Sequence, residues 1–241
     1  MTDPVGHFRL SLVARSIPKQ RFPQLVAAAV RVLVENGFRQ TQMEAVARSL
    51  GVAKGTIYRY VASKHALLDA VIRYADGHTP WPDVAALPLP TPEPGATAAY
   101  LSQRIAAEVA EMERERQRAC QEDGGPRAEL AAVIGSLYRC VHRNRHGIKV
   151  ADRCAREFPE LAAIWFEKAR FGQVGELVRR LCEPVGPARA SVQVDPAIAA
   201  RTVVETIMFW ACDRHWDPAP QTVDESAVES SVIALCVNAL M

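Results

Sequence analysis

The sequence predicts an all-α protein, and three observations lead to that fold class. Apolar residues recur at the three- and four-residue spacing of amphipathic helices through most of the chain. No run of alternating β-branched residues, the pattern typical of strands, appears in it. Glycine, proline and capping residues divide the helical pattern into a small N-terminal unit, residues 21–76, and a larger one, residues 95–241. The 241 residues are 49% hydrophobic, which is enough for a core without disulfides or metals.

The N-terminal unit contains four short helices preceded by a basic arm. The predicted segments are the arm at 1–20 and helices at 22–36, 41–50, 53–61 and 63–76. We expect Thr41 to cap the second helix, because Glu44 follows three residues later as in a capping box. Gly37 and Gly51 are placed to end the first and second helices, and Ser63 is placed to cap the fourth.

Residues 77–94 separate the two units. Six prolines between Pro80 and Pro94 block helix formation, so this stretch is predicted to be an extended loop or linker, either mobile or specifically packed. Beyond it the pattern is helical again. The predicted helices of the larger unit are at 96–120, 127–146, 149–157, 159–181, 195–214 and 222–240.

The charge is unevenly distributed along the chain. Residues 1–76 hold eleven basic and five acidic side chains, a net charge of +6, whereas the remainder holds 18 basic and 22 acidic ones, a net charge of −4. The overall charge of +2 conceals this asymmetry. A small basic unit is the electrostatic pattern expected for a polyanionic partner.

The cysteines and the hydropathy pattern indicate where the protein resides. Six cysteines are scattered without a C-x-x-C pair, which disfavours a zinc site or a disulfide scaffold and predicts reduced thiols. No segment approaches 18 uninterrupted apolar residues, and the N-terminus lacks a signal-peptide core. We therefore expect a soluble cytoplasmic protein with no membrane partner.

The most informative segment is residues 41–64, TQMEAVARSLGVAKGTIYRYVASK, which meets the physical requirements of a helix-turn-helix. Ala47 provides a small residue where two helices cross, and Gly51 tolerates the left-handed turn between them. Val46, Leu50, Val52 and Ile57 are spaced to meet in the angle between the helices. This leaves an outward face that can meet phosphates and base edges in a major groove: Ala53, Lys54, Thr56, Arg59 and Tyr60.

Residues from about 21 to 74 resemble the DNA-binding domain of the tetracycline-repressor (TetR) family. The pattern G-F-x-x-T followed by V-A-x-x-x-G-V-x-x-G-T-I-Y-R-Y-V-x-S-K-x-x-L-L carries the resemblance; one departure is Val61, where the family usually has Phe. The resemblance implies a DNA-binding head, a linking helix and a larger helical body. It also implies a homodimeric transcriptional regulator, usually a repressor, that is released from a palindromic operator by a small ligand. Such a protein is nucleoid-associated when bound to DNA.

Residue roles follow from this resemblance. Thr41 would touch a phosphate, Gly55 would allow close approach of the backbone to DNA, and Tyr58 and Tyr60 match aromatic phosphate contacts. Lys64, at the start of the fourth helix, would attract a phosphate. Gln42 either reads a base or faces water. The predicted DNA-binding set is Thr41, Gln42, Ala53, Lys54, Gly55, Thr56, Tyr58, Arg59, Tyr60 and Lys64.

The resemblance also places a dimer interface and an effector pocket in the body. The last two helices are expected to pair with their copies through Val203, Ile207, Ala211, Val228, Ser231, Val232, Leu235 and Ala239. An ordinary intramolecular core is the alternative for these residues. An apolar or aromatic effector is expected among Tyr100, Ile134, Tyr138, Trp165, Phe166, Phe171, Phe209 and Trp210.

Other functions have little support. The chain lacks a glycine-rich phosphate loop, H-E-x-x-H and G-x-S-x-G, so we expect no enzymatic activity and no cofactor. His142 and His146 have a metal-capable spacing, but neighbouring arginines oppose a cation, so no metal site is predicted. Cys140 and Cys154 are minority candidates for low-pKa redox sensors. A constitutive or activating DNA-binding regulator without a small-molecule ligand remains the alternative function.

Overall fold

The computed structural model describes residues 20–121, 125–170, 172, 175, 195–219 and 222–241. The predicted basic arm lies outside the described residues, apart from Gln20. The regular secondary structure in this part of the chain is helical, which confirms the predicted all-α class. None of the described helices combines the length and the apolar character that a bilayer crossing requires.

The helices follow the predicted order with shifted ends. They are α1 (Arg21–Gln40), α2 (Met43–Leu50), α3 (Lys54–Ile57), α4 (Lys64–Tyr74), α5 (Ala96–Gln121), α6 (Gly125–Arg143), α7 (Arg145–Cys154), α8 (Pro159–Ala162, continued by a π-helical segment Ala163–Arg170), α9 (Pro196–Ala211) and α10 (Glu225–Leu240). Short 3-10 turns lie at Val84–Ala86, Ala155–Glu157 and Asp213–Trp216. The third helix is much shorter than the predicted 53–61, because the chain turns after Ile57.

Two of the predicted caps have different outcomes. The Ser63 hydroxyl accepts a hydrogen bond from the Ala66 amide at 3.1 Å, so the cap of α4 is confirmed. The cap of α2 is wrong, because Gln42 occupies the N-cap position and makes no side-chain cap bond. The Thr41 hydroxyl instead donates backwards to the Gly37 carbonyl at 2.6 Å.

One apolar core joins the N-terminal helices to the start of the larger unit. It is formed by the buried faces of α1, α2 and α4, and it continues into Val150 and Cys154 of α7 and Trp165 beyond α8. A second core lies between α6, α9 and α10, around Tyr138 and Ile207. Because the first core extends across the predicted linker, the position of α4 depends directly on helices of the body.

The proline-rich segment is specifically packed. Trp81 stacks on Tyr74 at 5.9 Å between ring centroids and contacts the edge of Phe22. Farther along, the Leu89 amide donates to the Tyr60 carbonyl at 2.8 Å, and the Leu89 carbonyl accepts from the Ala62 amide at 2.9 Å. The segment therefore fastens the turn between α3 and α4.

Candidate functional site

The turn between α2 and α3 has the geometry that the sequence predicts. Gly51 adopts φ 70° and ψ 34°, a left-handed conformation that favours glycine. Val46 and Ile57 have no exposed surface, and Ala47 is 2% exposed, so the apolar plug between the two helices is formed. The buried plug fixes which side chains of α3 point outward.

Most of the predicted DNA-binding residues lie on one exposed surface, which we call the α3 face. It consists of Gln42, Ala53, Lys54, Gly55, Tyr58 and Arg59, with Thr56 half-buried beside them. Tyr58 is 41% exposed. Because Gly55 is open to solvent, a backbone could approach a ligand closely there. Placement on one surface is necessary for DNA contact, and the contacts themselves stay predictions.

An acidic side chain that the prediction did not include belongs to the α3 face. Glu44 of α2 forms an ion pair with Lys54, the first cation of α3. A hydrogen bond from Lys54 lowers the pKa of Glu44, and the same bond raises the pKa of Lys54. The Glu44 carboxylate therefore offsets part of the positive charge that the α3 face presents to a phosphate.

Tyr60 is a correction to the predicted outward face. Its side chain is 2% exposed and packs in the first core, and desolvation raises the pKa of its hydroxyl. The physical reason is the early end of α3: after Ile57 the chain no longer follows the helical period on which the prediction was based. Tyr58 is the aromatic residue left to face a phosphate.

The side chains of Thr41 and Lys64 are engaged inside the protein. Thr41 is 2% exposed, with its hydroxyl hydrogen already donated. The Lys64 ammonium donates to three carbonyl oxygens, those of Phe38 at 3.0 Å, Arg39 at 3.2 Å and Thr41 at 3.2 Å. Since an ammonium has three donors, this geometry uses all of them to fasten the α1–α2 junction. The geometry opposes the predicted phosphate contacts of both residues.

The α1–α2 junction is also held from the body. Glu157 accepts hydrogen bonds from the amides of Phe38 at 2.9 Å and Arg39 at 2.7 Å. Gly37 adopts φ 73° and ψ 175°, and a Cβ there would lie 3.0 Å from the Glu157 carboxylate. The glycine is therefore required by both the backbone conformation and the close approach. We call this contact the Glu157 clamp.

The body contains two neighbouring cavities. The first, the head-side cavity, has a volume of about 80 Å³ and is lined partly by Ile72, Arg73 and Asp76 at the end of α4. The second, the body cavity, has a volume of about 360 Å³. The two share a wall made by Ile105, Val109, Met112 and Ala169. The α5 part of this wall could not be predicted from the sequence pattern, because its apolar residues lie within a Glu- and Arg-rich helix.

A paired polar cluster borders the head-side cavity. Arg104 and Arg143 both donate to the Glu108 carboxylate, and Arg143 Nε does so at 2.9 Å. Burial alone would raise the pKa of Glu108, but hydrogen bonds from Arg143 and Asn144 and the charge of Arg104 lower it overall. The cavity thus presents an ionised, fully paired group beside apolar walls.

The predicted effector residues do not form one pocket. Trp165 lines the head-side cavity and Ile134 lines the body cavity. The other described residues line neither cavity. Tyr138 is buried in the second core, Trp210 packs against the second core and Phe166 packs against the first core. Phe209 is 42% exposed, and the Tyr100 hydroxyl forms a hydrogen bond with the Thr79 hydroxyl. Phe171 lies outside the described residues. The prediction was wrong because it grouped aromatic residues by type, whereas aliphatic side chains of α5 form the shared wall.

The predicted dimer residues divide into two groups. Five of them are buried inside this chain and cannot form a subunit surface: Val203, Ile207, Ala211, Val228 and Val232. For these the intramolecular alternative is correct. Ser231, Leu235 and Ala239 face outward on α10, and Leu235 is 67% exposed. Ile198 and Phe209 of α9 are also exposed and were missed, although they lie eleven residues, about three helical turns, apart.

The redox hypothesis for the cysteines is wrong for both residues named. Burial raises the pKa of Cys140 to about 12 and that of Cys154 to about 12. Both thiols are buried. Because the thiolate is the reactive form, these cysteines are core residues with suppressed reactivity.

Comparison with known proteins decides what the helix-turn-helix represents. A family model described as "Bacterial regulatory proteins, tetR family" matches residues 25–71, which contain the whole of α2 and α3. Over residues 25–71 the chain is thus similar to regulatory proteins of the tetR family. The matched region includes the α3 face, so the exposed Lys54, Tyr58 and Arg59 side chains lie within the residues that the family model matches.

Curated relatives match a short stretch of the chain. The fatty acid metabolism regulator protein of Bacillus subtilis is 38% identical over 55 residues, 23% of this chain and 28% of that protein. The HTH-type transcriptional regulator UidR of Escherichia coli K12 is 37% identical over 49 residues, 20% of this chain and 25% of that protein. The matched stretch thus spans about a quarter of the length of each relative.

A solved structure extends the comparison to the body. The ketosteroid transcriptional regulator KstR2 of Mycobacterium tuberculosis superposes with a TM-score of 0.55 at 15% identity, covering 94% of this chain and 97% of that one. At this identity the comparison establishes the fold of head and body together.

Proposed function

We propose that this chain is a homodimeric transcriptional repressor that binds a palindromic operator through residues 53–60 and is released by a small molecule bound in the body. One observation carries the proposal: a tetR-type helix-turn-helix exposes Lys54, Tyr58 and Arg59 on one surface. The net charge of +6 over residues 1–76 favours a polyanion as the partner of that surface.

DNA binding is tested with variants of the α3 face. Fluorescence anisotropy on the intergenic DNA next to the gene should show binding that weakens steeply with salt, because phosphate contacts release counterions. The double substitution Tyr58→Ala and Arg59→Ala should reduce affinity by at least about tenfold while the protein stays folded at the assay temperature. Arg118→Ala, which removes an exposed arginine of α5, is the matched control. Equal losses in the two proteins, or salt-independent binding, would refute the proposed surface.

Dimerisation is supported by the apolar outer surface of α9 and α10. Ile198, Phe209 and Leu235 are 64%, 42% and 67% exposed. Small residues such as Ala234 and Ser231 lie beside Leu235 and allow two helices to approach closely. A dimer through this surface would place two α3 helices about 34–36 Å apart, one turn of DNA.

The interface is tested by introducing charge. Leu235→Glu should convert a dimer into a monomer in analytical ultracentrifugation, and operator affinity should fall because one half-site contact is lost. Val84→Glu, at a 39% exposed apolar residue of the proline-rich segment, is the control. A wild-type chain that sediments as a monomer at micromolar concentration would contradict the dimer.

Release by an effector is supported by the position of the cavities. The head-side cavity is walled by Ile72 and Arg73 of α4, and α4 packs in the same core as α1 and α2. The body cavity, at about 360 Å³, lies within the volume range of small-molecule sites. A molecule that extended along the shared α5 wall into the head-side cavity would therefore contact α4, the helix that connects the body to the DNA-binding head.

The effector step is tested by filling the cavity. A compound library is screened by thermal shift for ligands that also release the chain from DNA. Ile105→Trp should abolish stabilisation by such a ligand while operator binding is retained, because Ile105 lines both cavities. Val223→Trp, at an exposed site that lines neither cavity, is the control. Retained ligand response in Ile105→Trp would refute the cavity, and a wild-type chain that no ligand releases would favour constitutive binding.

A further inference from the structure

We propose that His142, His215 and Glu225 form a binding site for a divalent transition metal of the zinc class. The site lies where the end of α6, the 3-10 turn Asp213–Trp216 and the first turn of α10 meet. One potential ligand atom from each of the three side chains lies within 4.8 Å of the other two. This inference goes beyond DNA binding and effector release.

The state of His142 points to a ligand. Its Nδ1 atom is buried without a hydrogen-bond partner, although it lies 3.2 Å from Glu225 Oε1. A buried polar atom that is left unsatisfied is uncommon and calls for a physical explanation. The ring itself is held parallel to Tyr138, with an interplanar angle of 6° and centroids 6.3 Å apart. A positioned neutral imidazole with an unsatisfied ring nitrogen is well suited to coordinate a metal.

Glu225 is arranged to present one oxygen to the imidazole. Its Oε1 atom accepts from the Tyr138 hydroxyl at 2.7 Å and is the oxygen nearest to His142, whereas Oε2 is bonded by Arg214. The carboxylate is therefore oriented by two neighbours. This arrangement, a ligand positioned by surrounding hydrogen bonds, is common around metal sites.

His215 supplies the accessible third ligand. Its side chain is exposed, so an ion has a path from solvent, and its ring centroid lies 5.8 Å from that of His142. Two imidazoles, a carboxylate and a water form an ordinary tetrahedral zinc site with ligand distances of about 2.0–2.2 Å. Those distances require the ligand atoms to close to within about 3.5 Å of one another. A rotamer change of the exposed His215 can provide that movement.

The neighbouring polar groups are not available as further metal ligands, and one of them opposes a cation. His146 is not part of the site, because its Nδ1 atom is already paired with the Asp76 carboxylate at 2.9 Å. The Cys212 thiol is buried and directed to the Arg145 carbonyl at 3.4 Å. Arg214 places a positive charge beside Glu225, which weakens the attraction for a cation. The competing explanation is that Tyr138, Glu225 and Arg214 simply fasten α10 to α6.

The test is a zinc titration of the full chain after treatment with a chelator, read by competition with a chromogenic zinc indicator. We expect one zinc per chain, and we expect His215→Asn and His142→Asn each to weaken binding by at least about tenfold. His78→Asn removes an exposed histidine outside the cluster and should bind zinc like the wild type. His215 is exposed, so its replacement should leave the fold intact and keep the test decisive.

Cobalt substitution identifies the ligand atoms independently of the variants. Co²⁺ held by nitrogen and oxygen should give visible d–d bands without a sulfur-to-cobalt charge-transfer band. Absence of stoichiometric zinc binding would overturn the proposal. Binding that both histidine variants retain, or a thiolate charge-transfer band, would also overturn it, because the metal would then be held elsewhere.

Discussion

The Glu157 clamp predicts a measurable link between the body and the DNA-binding head. Glu157→Ala removes the acceptor for two amides, those of Phe38 and Arg39, at 2.9 and 2.7 Å. A hydrogen bond to a charged group contributes about 1.5–3 kcal/mol. The Arg39 amide is solvent-exposed and can bond to water instead, so most of the loss comes from the half-buried Phe38 amide. The ion pair with Arg39, whose side chain is 87% exposed, adds little.

We therefore expect Glu157→Ala to lower the free energy of unfolding by about 2 kcal/mol. For a chain of this size that corresponds to a decrease in Tm of about 4–8 °C. Glu157→Gln keeps one acceptor oxygen and should lose about half as much. Glu160→Gln, at a nearby exposed carboxylate, is the matched control.

Two assays check this reasoning. Calorimetry gives the change in Tm, and hydrogen exchange gives a residue-specific readout, because the Phe38 amide should lose its protection in Glu157→Ala. Operator affinity at a temperature well below Tm should also fall, since the clamp fixes the α1–α2 junction. An unchanged Tm together with unchanged protection at Phe38 would show that the clamp does not exist in solution.

Four further predictions concern Gly37, Lys64 and the buried thiols. Gly37→Ala should lower stability by about 1–3 kcal/mol, because φ is 73° and the added Cβ meets Glu157; a melt equal to that of wild type would contradict this. Lys64→Met should lower the Tm and leave the salt dependence of operator binding unchanged, whereas a phosphate contact would reduce the slope of log K against log salt by about one. Native Cys140, Cys154 and Cys212, whose pKa values burial raises to about 12, should resist alkylation at pH 8 and react in urea, as peptide mass spectrometry would show. Because the pKa of these thiols is higher folded than unfolded, stability should also decrease as the pH rises from about 9 towards 12.

The helix-turn-helix could be predicted closely because its signals are local. Gly51 for a left-handed turn, Ala47 at a helix crossing and the spacing from Val46 to Ile57 each depend on a few neighbouring residues. The same locality explains the confirmed Ser63 cap. The α2 cap failed because Thr41 had a second local option, the Gly37 carbonyl four residues back, and took it.

The body was predicted less well because its signals are not local. Periodicity shows that residues of α9 and α10 are buried, but it does not say whether the partner is another helix of the same chain or a second subunit. Val203 and Val232 therefore looked like interface residues although they belong to an internal core. The cavity walls depend on how α5 packs against α6 and α8, and that packing is set by contacts between segments distant in sequence.

By itself, the sequence determined that this protein is helical, that its N-terminal unit is a helix-turn-helix of the tetR type, and that the unit is basic. Each of these follows from residue spacing, turn chemistry or charge within a short window. Only the tertiary structure decided that Tyr60 and Lys64 act inside the head, that Glu157 holds the head to the body, and that His142 meets His215. These pairings join residues 23 to 119 positions apart or depend on where a short helix ends, and hydrophobic packing of the whole chain decides them.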